Sequence, residues 1–288
     1  MEVNTSSTPE DAARSSSLLF RVISSVIYVP CFIIITFKGG YHFLALIDIV
    51  VAAGTWEFYK MMEHKGIRPY KGIGILCALV LTWYLYFQDG VYAHFFLTIM
   101  FMSLMCLELV RKEGRDASFH ISTTILGILY IAYLASYLVL LRELPGSVGR
   151  EYELGSSFVF LAFLITWSND TMAYTVGILV GRTPLFPRVS GKKTWEGSIG
   201  GLAGAVAAAL IARSTFAPFL LLWHALVLGF FGGIIGQLGD LVESMIKRDA
   251  ALKDTSKTIP GHGGVLDRFD SLLFTSPFLY YFLKYVVF

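Results

Sequence analysis

Charge is scarce in this sequence. Only 15% of the 288 residues are Asp, Glu, Lys or Arg, while 55% are hydrophobic and the mean hydropathy is +0.64. Soluble domains carry roughly 25% charged residues. That disfavours a water-soluble chain with a large core. Cysteine is nearly absent too. Cys31, Cys77 and Cys106 sit inside apolar runs and no C-x-x-C occurs. This excludes a disulfide or zinc framework and reads as packing. The net charge of +2 carries no nucleic-acid signature. Residues Met1 to Ser17 include Glu2, Glu10 and Asp11. They make neither a signal nor a transit peptide, and the segment 1–17 is expected to be a disordered polar tail. No repeat of 20–50 residues is visible.

What is present is a series of apolar runs, several of about 20 residues, the length that crosses a bilayer. Nine spans are expected: 18–37, 41–61, 72–88, 91–110, 120–141, 157–181, 198–213, 218–246 and 269–288. The fold class is therefore an all-α, polytopic integral membrane protein. Residues 18–156 and 157–288 form its N-terminal and C-terminal helices within one membrane domain. With the N-terminus in the cytoplasm, seventeen lysines and arginines fall on the cytoplasmic side and five (Lys38, Arg142, Arg150, Arg213, Lys284) on the other. Positive charge concentrates on cytoplasmic loops, so this orientation is preferred. Tyr and Trp near span ends suit the interface, and the scattered His42, His94, His120 and His224 read as interfacial.

Within the spans, polar residues mark where to look. Asp48, Glu57 and Glu108 are expected to face the bundle interior, with local pairs such as Glu57–Lys60 and Glu108–Lys112. Trp167-Ser168-Asn169-Asp170-Thr171 interrupts span six. It is either a carboxylate aimed at a metal or nucleotide, or a hydrogen-bond network between helices; the first is favoured. The following loop contains Arg182, Arg188, Lys192, Lys193, Thr194, Trp195, Glu196 and Gly197. Its Gly-Lys-Lys-Thr string is not a P-loop, because Phe186 stands where the pattern needs glycine and no strand precedes it. It reads either as topogenic charge or, preferably, as an anion-binding loop. Gly197/Gly201, Gly200/Gly204, Gly229/Gly233 and Gly232/Gly236 are small-xxx-small pairs for close helix packing.

The densest polar stretch is 239–271, between two apolar runs. If the run after Gly239 is helical, Asp240, Glu243, Ser244 and Lys247 share one face. Asp267, Asp270 and Ser271 repeat the i, i+3, i+4 pattern on the next helix. Between them, Pro260-Gly261-His262-Gly263-Gly264 reverses the chain and lets backbone approach a ligand. Carboxylates facing each other suit magnesium, which takes oxygen ligands and shares its shell with substrate phosphates. The interspersed Lys247, Arg248, Lys253, Lys257 and Arg268 would hold those phosphates.

Ser244-Met245-Ile246-Lys247-Arg248, Lys253-Asp254, Pro260-Gly261-His262-Gly263-Gly264 and Asp267-Arg268-Phe269-Asp270 resemble the signature of phosphatidate cytidylyltransferases, the CDP-diacylglycerol synthases. Lys193-Thr194-Trp195-Glu196-Gly197 and Asn169-Asp170-Thr171-Met172-Ala173-Tyr174 are similar to that family's upstream motifs. The resemblance covers residues 160–288. It departs at Gly191, where the family commonly has proline, and at Thr255-Ser256-Lys257-Thr258. It implies that CTP and phosphatidic acid give CDP-diacylglycerol and pyrophosphate with Mg2+, and that a monovalent cation such as K+ sits nearby. It implies Asp240 and Asp267 as metal ligands, with Asp170 and Asp270 as further candidates. Lys247, Arg248 and Arg268 are expected at the reacting phosphates. Lys192, Lys193, Thr194, Glu196, Ser244, His262, Gly263 and Gly264 are expected at the substrates. His262 stays open between a general acid and a loop hydrogen-bonder. A bacterial-type inner (plasma) membrane with a cytoplasmic active site follows, and homodimer formation is left open. Two rivals are a CTP-dependent polyprenol or phytol kinase and a secondary transporter with an ion site at Asp170 and Asp240.

Overall fold

The computed structural model describes residues 29–87, 90–111, 115–256 and 263–288. The N-terminal tail, the start of the first expected span and the segment holding Lys257 and His262 lie outside the described residues. The helices are α1 (Val29–Lys38), α2 (Gly40–His64), α3 (Lys71–Phe87), α4 (Gly90–Val110), α5 (Ala117–Gly127) and α6 (Leu134–Ser147). A π-helical turn, Ile128–Tyr133, joins α5 to α6 in one column. Then come α7 (Leu154–Val180), α8 (Trp195–Ser214), α9 (Leu222–Asp249) and α10 (Leu266–Phe282), which ends in a second π turn, Leu283–Val287.

Each expected span overlaps a helix. Among the described residues, four columns are long and apolar enough to cross a membrane: Gly40–His64, Ala117–Ser147, Trp195–Ser214 and Leu222–Asp249. These apolar helices fit an integral membrane protein. The others fall short for visible reasons. α3 and α10 have 17 residues each. α7 has 27, but Ser168, Asn169 and Asp170 break its apolar run. The fold is not purely α. The basic loop folds into an antiparallel hairpin, β1 (Pro184–Phe186) and β2 (Ser190–Thr194), with Pro184 opposite Thr194 and Phe186 opposite Ser190.

The glycine pairs do bring helices together. α8 packs on α7 and α9, and α9 on α10. A Cβ at Gly201 would lie 2.8 Å from Asn169 Oδ1 on α7. One at Gly239 would lie 2.7 Å from the Asp270 carbonyl on α10. The second approach matters most, because it sets Asp240 beside Asp270.

Polar side chains tie the two ends of the bundle. At one end, the buried Arg142 guanidinium donates to the Thr36, Phe37 and Tyr152 carbonyls at 2.7, 3.0 and 3.1 Å. Arg142 is thus a helix-end clamp, not the loop charge that its place between spans suggested. At the other end, Lys65 pairs with Asp249, Arg111 donates to the Arg68 carbonyl and Arg248 to the Val189 carbonyl. Among the described residues, this end gathers 65–71, 108–111, 115–120, 182–197, 247–256 and 263–266.

Several local expectations change. Glu57 does not pair with Lys60, whose ammonium lies over the Trp56 ring 4.4 Å from its centroid. Glu108 is held by Tyr70, Arg111 and His120, while Lys112 lies outside the described residues. His120 and His224 are buried, not interfacial, and His224 Nδ1 accepts from the Leu221 amide at the start of α9. Cys31 and Cys106 lie on the outer surface instead of packing inside.

Candidate active site

The site lies where α7, α8, the hairpin and the inner part of α9 meet. They enclose a cavity of about 540 Å³ lined on its polar side by Asn169, Asp170, Lys192, Lys193, Thr194, Gln237 and Asp240. Tyr174, Ile178, Leu185 and Leu241 form its apolar wall. Three separate sequence stretches thus meet in one chamber: the polar break in α7, the basic loop and the start of the signature.

Local structure explains how each is presented. Thr194 is the N-cap of α8, where its Oγ1 accepts from the Gly197 amide at 3.1 Å. Glu196 follows in the first turn, where a negative charge suits the helix dipole. Its carboxylate accepts from the Arg182 and Thr183 amides at 3.1 and 3.2 Å and from Thr183 Oγ1 at 2.9 Å. Glu196 therefore closes the neck of the hairpin. Arg248 Nε reaches the Val189 carbonyl at 3.4 Å and its Nη1 the Leu252 carbonyl at 3.0 Å, fastening the hairpin turn to the end of α9. These two side chains shape the loop that carries Lys192 and Lys193.

The break in α7 places a helix-to-helix hydrogen-bond network and a cavity-lining carboxylate on adjacent residues. Asn169 is buried and accepts from Gln237 Nε2 at 2.9 Å, and Gln237 also engages Ser198, so this network spans α7, α8 and α9. Asp170 lines the cavity, 3.2 Å from Asn169 Nδ2.

Asp240 stands at the junction. It lies nine positions before the last residue of α9, not at its end, so it is about two and a half turns inside the helix. Its Oδ2 is 2.6 Å from Lys193 Nζ, and Ser244 Oγ lies 3.4 Å from its Oδ1. Toward α10, ligand atoms of Asp240, Glu243 and Asp270 all lie within 4.8 Å of one another. Glu243 is buried and neither of its carboxylate oxygens has a hydrogen bond. Lys247 Nζ stands 2.5 Å from Glu243 Oε2 as an ion pair without hydrogen-bond alignment.

Asp267 is placed differently from Asp270. Its Oδ1 holds Lys247 Nζ at 2.7 Å. Its Oδ2 accepts from the Gly264 amide at 2.9 Å, the Thr255 amide at 3.2 Å and Thr255 Oγ1 at 2.9 Å. Asp267 is thus next to the three-carboxylate cluster, across Lys247. Gly263, with φ of +83°, and Gly264 let the backbone turn tightly against it. Arg268 follows in the first turn of α10. His262 lies outside the described residues.

Two contributors escaped the sequence reading of the site. Glu243 was visible as the i+3 neighbour of Asp240 but not as a member of the carboxylate cluster. Glu57, from the N-terminal half, read only as an interior carboxylate paired with Lys60. It is buried in α2 and reaches the described parts of the signature loop: its oxygens accept from Ser256 Oγ at 2.6 Å, and from the Val265 and Leu266 amides at 3.0 Å each.

A sequence profile of the cytidylyltransferase family matches residues 19–286. This chain belongs to the cytidylyltransferase family. A relative from Synechocystis named phosphatidate cytidylyltransferase is 36% identical over 287 aligned residues, covering 91% of this chain and 95% of the relative. Relatives of the same name from Bacillus subtilis and Brucella abortus are 30% and 34% identical. They cover 91% and 93% of this chain, and 96% and 93% of their own lengths. The match reaches well into the N-terminal half, beyond the residues 160–288 that carry the sequence resemblance.

Proposed function

We propose that the cavity and the carboxylates beside it transfer CMP from CTP to phosphatidic acid, giving CDP-diacylglycerol and pyrophosphate for phospholipid synthesis. The carrying observation is one chamber that joins cations, carboxylates and an apolar wall. Lys192 and Lys193 line it where a nucleoside triphosphate would sit, and Tyr174, Ile178 and Leu185 suit a lipid.

The chemistry needs little proton transfer. The nucleophile is a phosphate-monoester oxygen of phosphatidic acid, largely ionised near neutrality because its second pKa is about 6. It forms a bond to the α-phosphorus of CTP as the bond to pyrophosphate breaks. Two polyanions must meet, so orientation and charge neutralisation dominate the barrier. Lys193, now paired with Asp240, would turn to a phosphate when the nucleotide enters. Arg248 and Glu196 hold the hairpin that carries it. Lys247, fixed between Glu243 and Asp267, keeps a positive charge beside the acidic cluster. Ser244 and Thr194 offer hydroxyls at its rim, and Arg268 and His262 remain proposed phosphate contacts.

The residues fit a hard divalent cation. Glu243 presents a buried Oε1 without a hydrogen bond, with Oε2 ion-paired to Lys247, beside Asp240 and Asp270, and an all-oxygen set of this kind suits Mg2+. Asp240, Glu243 and Asp270 would hold it, with Asp170 and Asp267 within the same acidic neighbourhood. When bound, it supplies Lewis-acid neutralisation of the phosphates. A monovalent cation such as K+ beside it is proposed from the family resemblance alone.

The finer topology is also proposed: nine spans, the N-terminus inside, and the cavity on the cytoplasmic face of an inner (plasma) membrane. The charge bias supports it, since the bundle end that carries the cavity also gathers the lysine-rich and arginine-rich segments.

The direct test is purified protein in detergent with phosphatidic acid, magnesium and CTP labelled at the α- or the γ-phosphate. Label from the α position should enter the lipid. Label entering only from the γ position would indicate a kinase and overturn the reading.

A further inference from the structure

We propose that Glu57, in the N-terminal half, is a positioning residue for the active site. It acts by fixing the two described flanks of the signature loop, and through them Asp267 and Lys247. The proposal rests on the site assigned above.

A carboxylate inside an apolar helix is expensive unless its lone pairs are used. Glu57 has no exposed surface and both of its oxygens are engaged. Oε1 accepts from Ser256 Oγ and the Val265 amide, and Oε2 accepts from the Leu266 amide. Val265 is the residue before α10 and Leu266 its first residue. Their amides belong to the orphan donors that every helix start must satisfy. An anion there also complements the helix dipole. Glu57 is therefore the remote cap of the helix that carries Asp267 and Asp270, supplied from about 200 positions earlier in the chain.

The contact continues inward. Thr255 Oγ1 lies 3.3 Å from Glu57 Oε2 and 2.9 Å from Asp267 Oδ2, so its single proton serves the nearer carboxylate. Gly264 is wedged between the two acids. A Cβ there would lie 1.9 Å from Thr255 Oγ1, 2.7 Å from Glu57 Oε2 and 3.1 Å from Asp267 Oδ2. Asp267 in turn holds Lys247, and Lys247 reaches Glu243. A continuous path runs from α2 through the loop to the carboxylate cluster. Glu57 touches neither the cavity nor the cluster directly, so its effect has to travel through Asp267.

The test is Glu57→Gln in the full chain. The amide replaces one acceptor oxygen with a donor that faces donors. We expect kcat to fall about tenfold or more, with KM for phosphatidic acid within about threefold, because an orienting role acts on the transition state more than on lipid binding. Backbone hydrogen exchange, read without substrate, should rise about tenfold at 263–267 and stay unchanged in α7 and α8. Ser256→Ala, which removes the hydroxyl that donates to Glu57 Oε1, should show the same pattern at about threefold and serves if Glu57→Gln does not fold. Exchange rising equally in every helix would mean a merely structural role and overturn the proposal. So would kcat staying within about twofold while exchange at 263–267 rises. In that last case the site assignment stands, since it is tested separately at Asp240.

Discussion

Replacing Asp240 by Asn probes the centre of the site with the smallest change in shape. The substitution keeps size and one acceptor oxygen but removes a charge. Its effect on folding should be small, for two opposing reasons. The Lys193 partner is lost, but the side chains are 28% and 31% exposed, and such a half-solvated pair contributes roughly 1 kcal/mol at most. Against that, one of three carboxylates crowded within 4.8 Å is neutralised, which relieves repulsion with Glu243 and Asp270. The rate should respond differently. A neutral amide oxygen is a weaker ligand for a hard cation, and charge stabilisation at a reacting phosphoryl group is worth several kcal/mol. A loss of about 2.7 kcal/mol is a hundredfold in rate. Asp240→Asn is therefore expected to lose about a hundredfold or more in kcat with a nearly unchanged Tm. Asp267→Asn should lose as much and also lower Tm, because its one remaining acceptor oxygen cannot serve both the half-buried Lys247 and the Gly264 and Thr255 amides. The double variant should be little slower than either single one, as for residues that act as a unit. The assay is label transfer from α-labelled CTP over a magnesium titration. Asp249→Asn, which removes an exposed contact with Lys65, is the control and should stay active. Near-normal activity in folded Asp240→Asn would refute the assignment of this cluster.

Three further outcomes are expected. Lys193→Gln should weaken CTP use by at least about tenfold, while Lys65→Gln, outside the cavity and paired with Asp249, should change it less than about twofold; equal small effects would return the hairpin to topogenic charge. Gly264→Ala should lower Tm and cut activity, with an overpacking cost of about 1–3 kcal/mol, whereas Gly191→Ala should do neither, because nothing lies within 4 Å of a Cβ there. Cytoplasm-only thiol labelling should find cysteines placed at residues 65 and 255 on the same side, and labelling from opposite sides would break the proposed topology.

The parts of this molecule that were readable from sequence are those whose physics is local. Apolar run length located the helices because crossing a bilayer requires it. Asp240, Glu243 and Lys247 could be placed together because helical spacing puts i, i+3 and i+7 on one face. The hairpin was missed because β1 is only Pro-Leu-Phe and β2 is a polar, partly exposed Ser-Gly-Lys-Lys-Thr, too short and irregular to show the alternation that marks a buried strand. Spacing also could not separate Asp267 from Asp270. Both lie on one helix, three positions apart. The close approach at Gly239 brings Asp270 to Asp240, while the loop amides and Lys247 draw Asp267 aside. Glu57 marks the limit most clearly. Local rules offered it Lys60, three positions on, but a buried carboxylate is satisfied by the donors that most need an acceptor, and those are the free amides at the start of α10. No pattern within α2 announces a helix start some two hundred residues later. A buried acid in an apolar helix can therefore anchor a distant backbone segment even where a base stands within one turn, and here that segment carries the signature.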